Sequence, residues 1–563
     1  MTSSTDARAI SPLAELTIEN LVSIARGGNT LQPLTPRDDA RYARIEQSAA
    51  WINQAMIEVE QAAAQDHEPT AYYAINTGFG DNAGRATFRD RGQAEQLSRK
   101  LLLSHSIGVG DPLPYDVVRA ALALRIVSLT HGYSGVRVEV INTLIAMLNR
   151  GVYPVVPAQG SLGASGDLAP LAHLVLPLSA PLADEAPDLP GATGFCFLDG
   201  KIVTGAVAMA AAGIPQMRLG AKEGVGLING TAISTAIAVL ALYDARQLLN
   251  ASIAAAALSA EAMLAFRDAF LPHVHRLRNR YQAEAAARLH DLVDGSTLIR
   301  GDTTIDLPAS DGPPQDAYSL RCAPVIFGAV ARTLDHVEQV VADELNAVTD
   351  NPLIFASAET DDPDYLARLT KVISGGNFHG EPIALIMDYL ATALAELGSI
   401  AERRIFLLTD PKLNRGLPPF LVPDQTGLNS GLMIAQYTAA SLVSENKTLA
   451  HPASVDSIPS SGNREDHVSM STIAARKAAQ IVVNVRNIVA LELLTASQAL
   501  DLRLMQMSDR QAGTGSQRIL DAIRALEIAP DQRLGVIRAD VPLAPYVAAL
   551  NGALRAGKFD HLS

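Results

Sequence analysis

Residues 466–503 contain neither glycine nor proline, and residues 227–266 contain no proline and one early glycine, Gly230. Glycine and proline are the residues that interrupt a helix. At 1.5 Å per residue the second segment would run about 60 Å unbroken. Both segments are apolar on most faces, the mark of a helix buried all round. Residues 323–346, 381–408 and 431–451 share this texture, and breakers fall between them at Asn351-Pro352, Asp410-Pro411, Pro418-Pro419 and His451-Pro452. Long apolar helices in series predict a mainly α fold with an extended bundle.

Residues 1 to about 215 read differently. Helical patterns at 38–65 and 115–150 alternate with loops rich in Gly and Pro. The stretch 73–80, Tyr-Ala-Ile-Asn-Thr-Gly-Phe-Gly, is too glycine-rich for either regular element, and 155–169 is equally irregular. Residues 184–204 suggest a loop or small hairpin around Asp199-Gly200. Two domains are therefore expected, 1–215 and 216–563. The loop 296–314 reads as a lid and 361–363 as a surface insertion.

The 48% of hydrophobic residues, with only 5% aromatic, is carried by Ala, Leu, Ile and Val and is ample for a core. A mean hydropathy of +0.15 predicts additional buried surface between subunits. The net charge of −14 argues against affinity for nucleic acid or anionic lipid. Two distant cysteines, Cys196 and Cys322, give no disulfide framework and no thiolate metal site, which fits a reducing cytoplasm. The N-terminus lacks the apolar core of a signal peptide. No uninterrupted apolar run approaches the about 18 residues that span a bilayer, so no membrane partner is expected.

The most informative segment for chemistry is 160–170, Gly-Ser-Leu-Gly-Ala-Ser-Gly-Asp-Leu-Ala-Pro. As ordinary structure it is a loop before a helix, with Ser165 or Asp167 as N-cap. It is no phosphate loop, because the lysine is missing, and no nucleophile elbow. The alternative is cyclisation of Ala164-Ser165-Gly166. Gly166 offers an unhindered amide nitrogen to the Ala164 carbonyl, Gly163 permits the bend, and dehydration of Ser165 leaves an exocyclic methylidene. The product is an electrophile made of protein atoms alone.

With the longer run Gly-Ser-Leu-Gly-Ala-Ser-Gly-Asp-Leu-Ala-Pro-Leu-Ala-His from Gly160, the chain resembles the aromatic amino acid ammonia-lyases and aminomutases, which carry a methylideneimidazolone formed from Ala-Ser-Gly. The resemblance extends from about Tyr73 to Arg503 and is closest to the histidine ammonia-lyases. It implies an L-aspartase-like superfamily architecture. It also implies a small amino acid substrate, no external cofactor or metal, and homotetramers whose sites draw residues from three subunits. The loop at Tyr73 resembles the one bearing a catalytic tyrosine, and Ser104-His105 the pair facing the substrate side chain. Leu227-Ile-Asn-Gly-Thr resembles the segment whose Asn229 bonds in the site. Gln315-Asp-Ala-Tyr-Ser-Leu-Arg-Cys matches the second tyrosine, Tyr318, with the carboxylate-binding Arg321. Gly375-Gly-Asn-Phe-His-Gly-Glu-Pro, with Phe378 as a wall, departs at Gly380, where histidine lyases more often have Ala. Asp81-Asn-Ala-Gly-Arg is another departure. The run from Ser444 to Pro459 is the most histidine-lyase-like, and Glu445 is expected to contact an imidazole.

The residue types suit the implied reaction, L-histidine to trans-urocanate and ammonia. Elimination needs a group that turns the amine into a leaving group and a base for the β-proton. A tyrosine serves as base when its neighbours favour the phenolate. The resemblance gives Tyr318 that role, and Tyr73 a place near the amine. Arg321 donates two parallel hydrogen bonds to a carboxylate, and Asn229 and Gln315 bind without adding charge. A phenylalanine or tyrosine ammonia-lyase, or an aromatic aminomutase, is the alternative on the same scaffold. His273-Val-His275 and His379-Gly-Glu381 are the candidate metal pairs, and neither has a third ligand at a recognised spacing. Glu465-Asp-His467 reads as the acidic start of a helix.

Overall fold

In the computed structural model, which describes residues 8–37, 39–186, 189–301, 315–356, 372–425 and 427–561, the expected long segments are helices. They run over Ala232–Ala262, Ala323–Leu345, Glu381–Thr409, Met433–Leu449 and Ser471–Gln506. Two of them differ from expectation. The helix expected over 227–266 breaks at residues 229–231, because Gly230 takes φ +138°, so Glu223–Ile228 is a separate short helix. The helix expected from 466 begins at Ser471, and residues 466–470 remain irregular. Both breaks lie at the candidate site.

Ala232–Ala262, Glu381–Thr409 and Ser471–Gln506 are long and apolar enough to cross a membrane by length and composition, although the sequence shows no uninterrupted apolar run. Isolated polar residues break each run without lowering its mean hydropathy. Most of each apolar window is buried within the protein.

By compactness the chain divides into two units that interleave along the sequence. The first comprises Met1–Leu240, Gln339–Met387 and Pro452–Arg476, and the second Ala241–Glu338, Asp388–His451 and Lys477–Ser563. Chain order, with its expected cut after 215, therefore differs from compactness.

In the first unit, the helix Ala40–Ala64 supplies Ile52, Met56 and Val59 to a cluster with Ile75, Ala94, Ala221 and Ile354. Ile75 belongs to the glycine-rich stretch 73–80. Fully burying such a side chain contributes about 1.5–3 kcal/mol, which ties an otherwise irregular loop to the core. The expected hairpin forms as Phe195–Leu198 and Lys201–Thr204, turning at Asp199 (φ 49°) and Gly200 (φ 75°). The strand Pro157–Gln159 pairs antiparallel with Val109–Pro112, and the helix Leu168–Val175 follows. Those two elements fix the ends of the loop containing Ala164-Ser165-Gly166.

The second unit is helical. Arg404 and Glu492, both fully buried, pair at 2.5 Å, and Ser259 Oγ donates to the same carboxylate at 3.2 Å. Arg503 donates to the carbonyls of Ala262 (2.9 Å) and Asn414 (3.1 Å). Residues 302–314 of the expected lid and the insertion at 361–363 lie outside the described residues.

Candidate active site

The loop 160–167 bends sharply at two glycines. Gly163 and Gly166 take φ +73° and +74°, and the two pair across the bend. Ser161 Oγ donates to the Gly166 carbonyl (3.3 Å) and accepts from the Gly163 amide (3.2 Å), closing the loop on itself. Outside support comes from two places. Ser469 Oγ donates to the Gly163 carbonyl at 3.2 Å and the Met470 amide to that of Leu162 at 2.9 Å. On the other side, the Gly230 amide donates to the Ser165 carbonyl (3.3 Å), and the Gly230 carbonyl accepts from the Asp167 amide (2.7 Å). A Cβ on Gly166 would lie 2.1 Å from that Gly230 oxygen, so only glycine fits there.

Asp167 anchors the end of the bend. Its buried carboxylate accepts from the amides of Ile233 (2.9 Å) and Ser234 (2.8 Å) at the start of Ala232–Ala262, from Ser234 Oγ, and from Thr472 Oγ1 at 2.7 Å. These are orphan amides of a helix N-terminus. Burial raises the carboxyl above its ordinary range, against the pull of those hydrogen bonds.

Ser165 points its hydroxyl at Glu465, with Oγ to Oε1 at 3.4 Å. Glu465 is therefore not the start of a helix. It lies in the irregular segment before Ser471 and also accepts from Ser460 Oγ at 2.9 Å. His105, in the last turn of Arg91–His105, stands edge-on to Phe79 with ring centroids 5.6 Å apart. Burial lowers its pKa, and the Leu101 carbonyl and Glu465 partly oppose this. Tyr73 is half-buried, and its hydroxyl oxygen accepts from the Gly80 amide at 3.1 Å, leaving its proton to donate elsewhere. Gly80 and Asp81 in turn lie against Ser461. Asn229 is buried at the break between helices, and its Oδ1 has no partner among the described residues. A buried acceptor left so costs about 1–3 kcal/mol, which a ligand or a newly formed ring can recover. Phe378 is half-buried in a turn whose neighbour His379 stacks on His467.

The first unit thus brings Ser165 and His105 close to Glu465, sets Asn229 beside the Gly230 that clamps the bend, and lays the Tyr73 loop against Ser461 of the Glu465 segment. Phe378 also belongs to the first unit, and Gln315, Tyr318, Arg321 and Glu445 belong to the second. Tyr318 is 71% exposed and Gln315 is exposed. Arg321 lies over the Tyr318 ring at 4.4 Å, one helical turn away as its spacing predicts, and donates to the Asp316 carbonyl at 3.0 Å. Glu445 is exposed on Met433–Leu449, where Asn484 Nδ2 reaches it at 3.3 Å. The glutamate beside Ser165 is Glu465, which sequence reasoning passes over as a helix start. The available signal is the stretch Ser-Ser-Gly-Asn-Arg before it, too turn-prone to lead directly into a helix. Of the candidate metal pairs, His275 has both ring nitrogens engaged, by the Ala269 carbonyl and Gln282. Among the described residues no cluster of three ligating side chains occurs.

Residues 16–525 match the profile of aromatic amino acid lyases. A histidine ammonia-lyase of Symbiobacterium thermophilum is 45% identical over 546 residues, 97% of this chain and 96% of that one. The crystal structure of histidine ammonia-lyase from Trypanosoma cruzi superposes with a TM-score of 0.81 at 34% identity, over 99% of this chain and 94% of that one. Tyrosine aminomutase from Streptomyces globisporus reaches 0.82 at 32% identity, over 98% of both chains.

Proposed function

The chain belongs to the aromatic amino acid lyase family, and from that premise we propose that it eliminates ammonia from L-histidine to give trans-urocanate. The observation that carries this reading is the bent Ala164-Ser165-Gly166, with Glu465 on the serine hydroxyl and, next to the supporting Gly230 in sequence, the Asn229 Oδ1 that has no partner among the described residues. These residues fit a methylideneimidazolone. The Gly166 nitrogen bonds the Ala164 carbonyl carbon, and that oxygen leaves as water with the amide hydrogens of Gly166 and Ser165. The Ser165 hydroxyl leaves as a second water with its α-hydrogen. Once formed, the group supplies an electrophilic carbon that makes the substrate nitrogen a better leaving group.

The chain's own residues do the rest. Arg321 holds the substrate carboxylate with its fork, and Gln315 and Asn229 bind without charge. Tyr318 takes the β-proton, and Tyr73, its oxygen held by the Gly80 amide, donates toward the amine. His105 meets the imidazole as a neutral ring, because burial favours that form, so it can donate or accept. Glu465 is the acceptor for the second imidazole nitrogen, and Glu445 is the alternative. Phe378 packs against the ring. The functional division by chain order places the electrophile in 1–215 and Tyr318 and Arg321 in 216–563. The reading includes a cytoplasmic homotetramer in which Tyr318 and Arg321 complete a site on another copy.

Purified protein incubated with L-His, L-Phe and L-Tyr tests the reading. Urocanate should form fastest, from protein lighter than its sequence by two waters. Faster cinnamate or coumarate would move the assignment to the alternative substrates. An unmodified tripeptide in active protein would end it.

A further inference from the structure

Arg125 lies in the helix Tyr115–Thr130 and is fully buried. Among the described residues its hydrogen bonds all go to backbone carbonyls. Nη1 donates to Asn229 (2.8 Å) and Thr349 (3.0 Å), and Nη2 to Gly226 (2.5 Å). Nε has no partner among the described residues. Removing a guanidinium from water is costly unless something offsets it. Asp350 is the nearby opposite charge, but its carboxylate is bonded to the buried Lys222 at 2.8 Å. Arg125 is thus placed for its geometry rather than as half of an ion pair.

That geometry is specific. The planar fork joins the last turn of Glu223–Ile228 to the segment at Thr349, and so fixes where the chain breaks at Asn229-Gly230. Nothing larger than glycine fits beneath the fork. A Cβ on Gly230 would lie 2.3 Å from the Thr349 carbonyl oxygen and 2.6 Å from Arg125 Nη1. Gly230 is also the residue that holds the Ser165 carbonyl and the Asp167 amide, on either side of Gly166. One buried side chain therefore sets the position of both Asn229 and the backbone clamp on the bend.

We infer that Arg125 is a positioning residue for formation of the electrophile: it holds residues 226–230, and with them the Gly230 hydrogen bonds that fix the backbone on either side of Gly166. This rests on the proposed cyclisation. Near-attack geometry is where displacement of about an ångström costs on the order of 10²-fold in rate. Arg125→Lys keeps the charge and loses the fork, while Arg125→Met keeps only the length. The test follows the loss of two waters by intact-protein mass after synthesis, on the folded fraction isolated by size. The expected result is folded protein that matures about 10²-fold more slowly in Arg125→Met and to an intermediate degree in Arg125→Lys. Because Asn229 shifts with the same segment, the matured fraction should also show a raised KM for L-His. A purely structural role would lower the folded yield and leave the folded fraction fully matured. Folded variants that mature at the wild-type rate overturn the inference, and so does failure of both variants to fold. Wild-type protein that shows no mass deficit removes the cyclisation itself, a result distinguishable from either.

Discussion

Ser165 reverses the order of importance in which the sequence presents two glutamates. Glu445 stands in the run that most resembles histidine lyases, yet it is exposed and bonded to Asn484. Glu465 stands in a run that reads as a helix start, yet it takes the Ser165 hydroxyl and bears on the charge of His105. Glu465→Gln should therefore lower kcat/KM on L-His by about 10- to 100-fold, the scale of a lost hydrogen bond to a charged acceptor. Glu445→Ala should cost less, and steady-state rates showing the reverse order would restore Glu445 to the role. Tyr318→Phe keeps the ring and removes the hydroxyl, and should lower kcat by a similar factor of about 10². Normal turnover in that variant would make Tyr318 structural. A different residue sets the response to acid. Burial, reinforced by Arg41 and Arg44, lowers the pKa of His131 to about 4. In the unfolded chain it titrates near 6.5, so between about pH 6.5 and 4 the unfolded state binds the proton and the folded state refuses it. Stability should fall as pH drops through that window. His131→Asn should flatten this part of a plot of urea midpoint against pH, and an unchanged slope would assign the loss to other groups.

At the scale of elements, the long helices were legible because glycine and proline punctuate them and apolar residues cover most of their faces. What periodicity could not show was where two of them stop. The break at Asn229-Gly230 is imposed by Arg125 and Thr349, which are distant in sequence. The late start at Ser471 follows from Ser469 and Met470 bonding to Gly163 and Leu162 instead of continuing a helix. The Ala-Ser-Gly motif was legible because its residues are consecutive, whereas Glu465 reaches Ser165 only through the fold. Gly380, a departure from the usual Ala, has a steric reason. A Cβ there would lie 2.4 Å from Ser471 Oγ, so the serine occupies the space. The Tyr73 loop is irregular, as its glycines dictate, and its anchoring is equally nonlocal. Gly80 sits at φ +57°, where a Cβ would be 2.3 Å from Ser461 Oγ. Gly80→Ala adds a left-handed alanine, at about 1–2 kcal/mol, and pushes the loop off its support. Proteolysis of residues 80–86 should accelerate and kcat should fall, while the global melting temperature shifts little. A fully active variant with an unchanged cleavage rate would show that Tyr73 needs no such support.

For the whole molecule, the distribution of reactive groups has a consequence for assembly. The first unit holds the tripeptide, Asn229, His105 and Glu465, and the second holds Tyr318 and Arg321 with most of the tyrosine side chain exposed. Long helices buried over most of their length still present Leu385, Tyr389, Ile434 and Tyr437 to the surface, each about half exposed. Apolar faces of that kind commonly mark contact with another chain, and closed homo-oligomers are the usual result. If each site takes its electrophile from one copy and its base from another, two inactive variants can repair one another. Ser165→Ala lacks the electrophile and keeps Tyr318, while Tyr318→Phe keeps the electrophile and lacks the base. In a tetramer assembled at random from equal amounts of the two, about a quarter of the sites would receive an intact Ser165 and an intact Tyr318. Co-expressed variants, purified as mixed assemblies through two different tags, should therefore recover slightly more than about a quarter of wild-type activity, while the separately purified variants stay at about a hundredth or less. Mixed assemblies with no activity above either parent would mean that each site is completed within a single chain. An active monomer at high dilution would lead to the same conclusion by a second route.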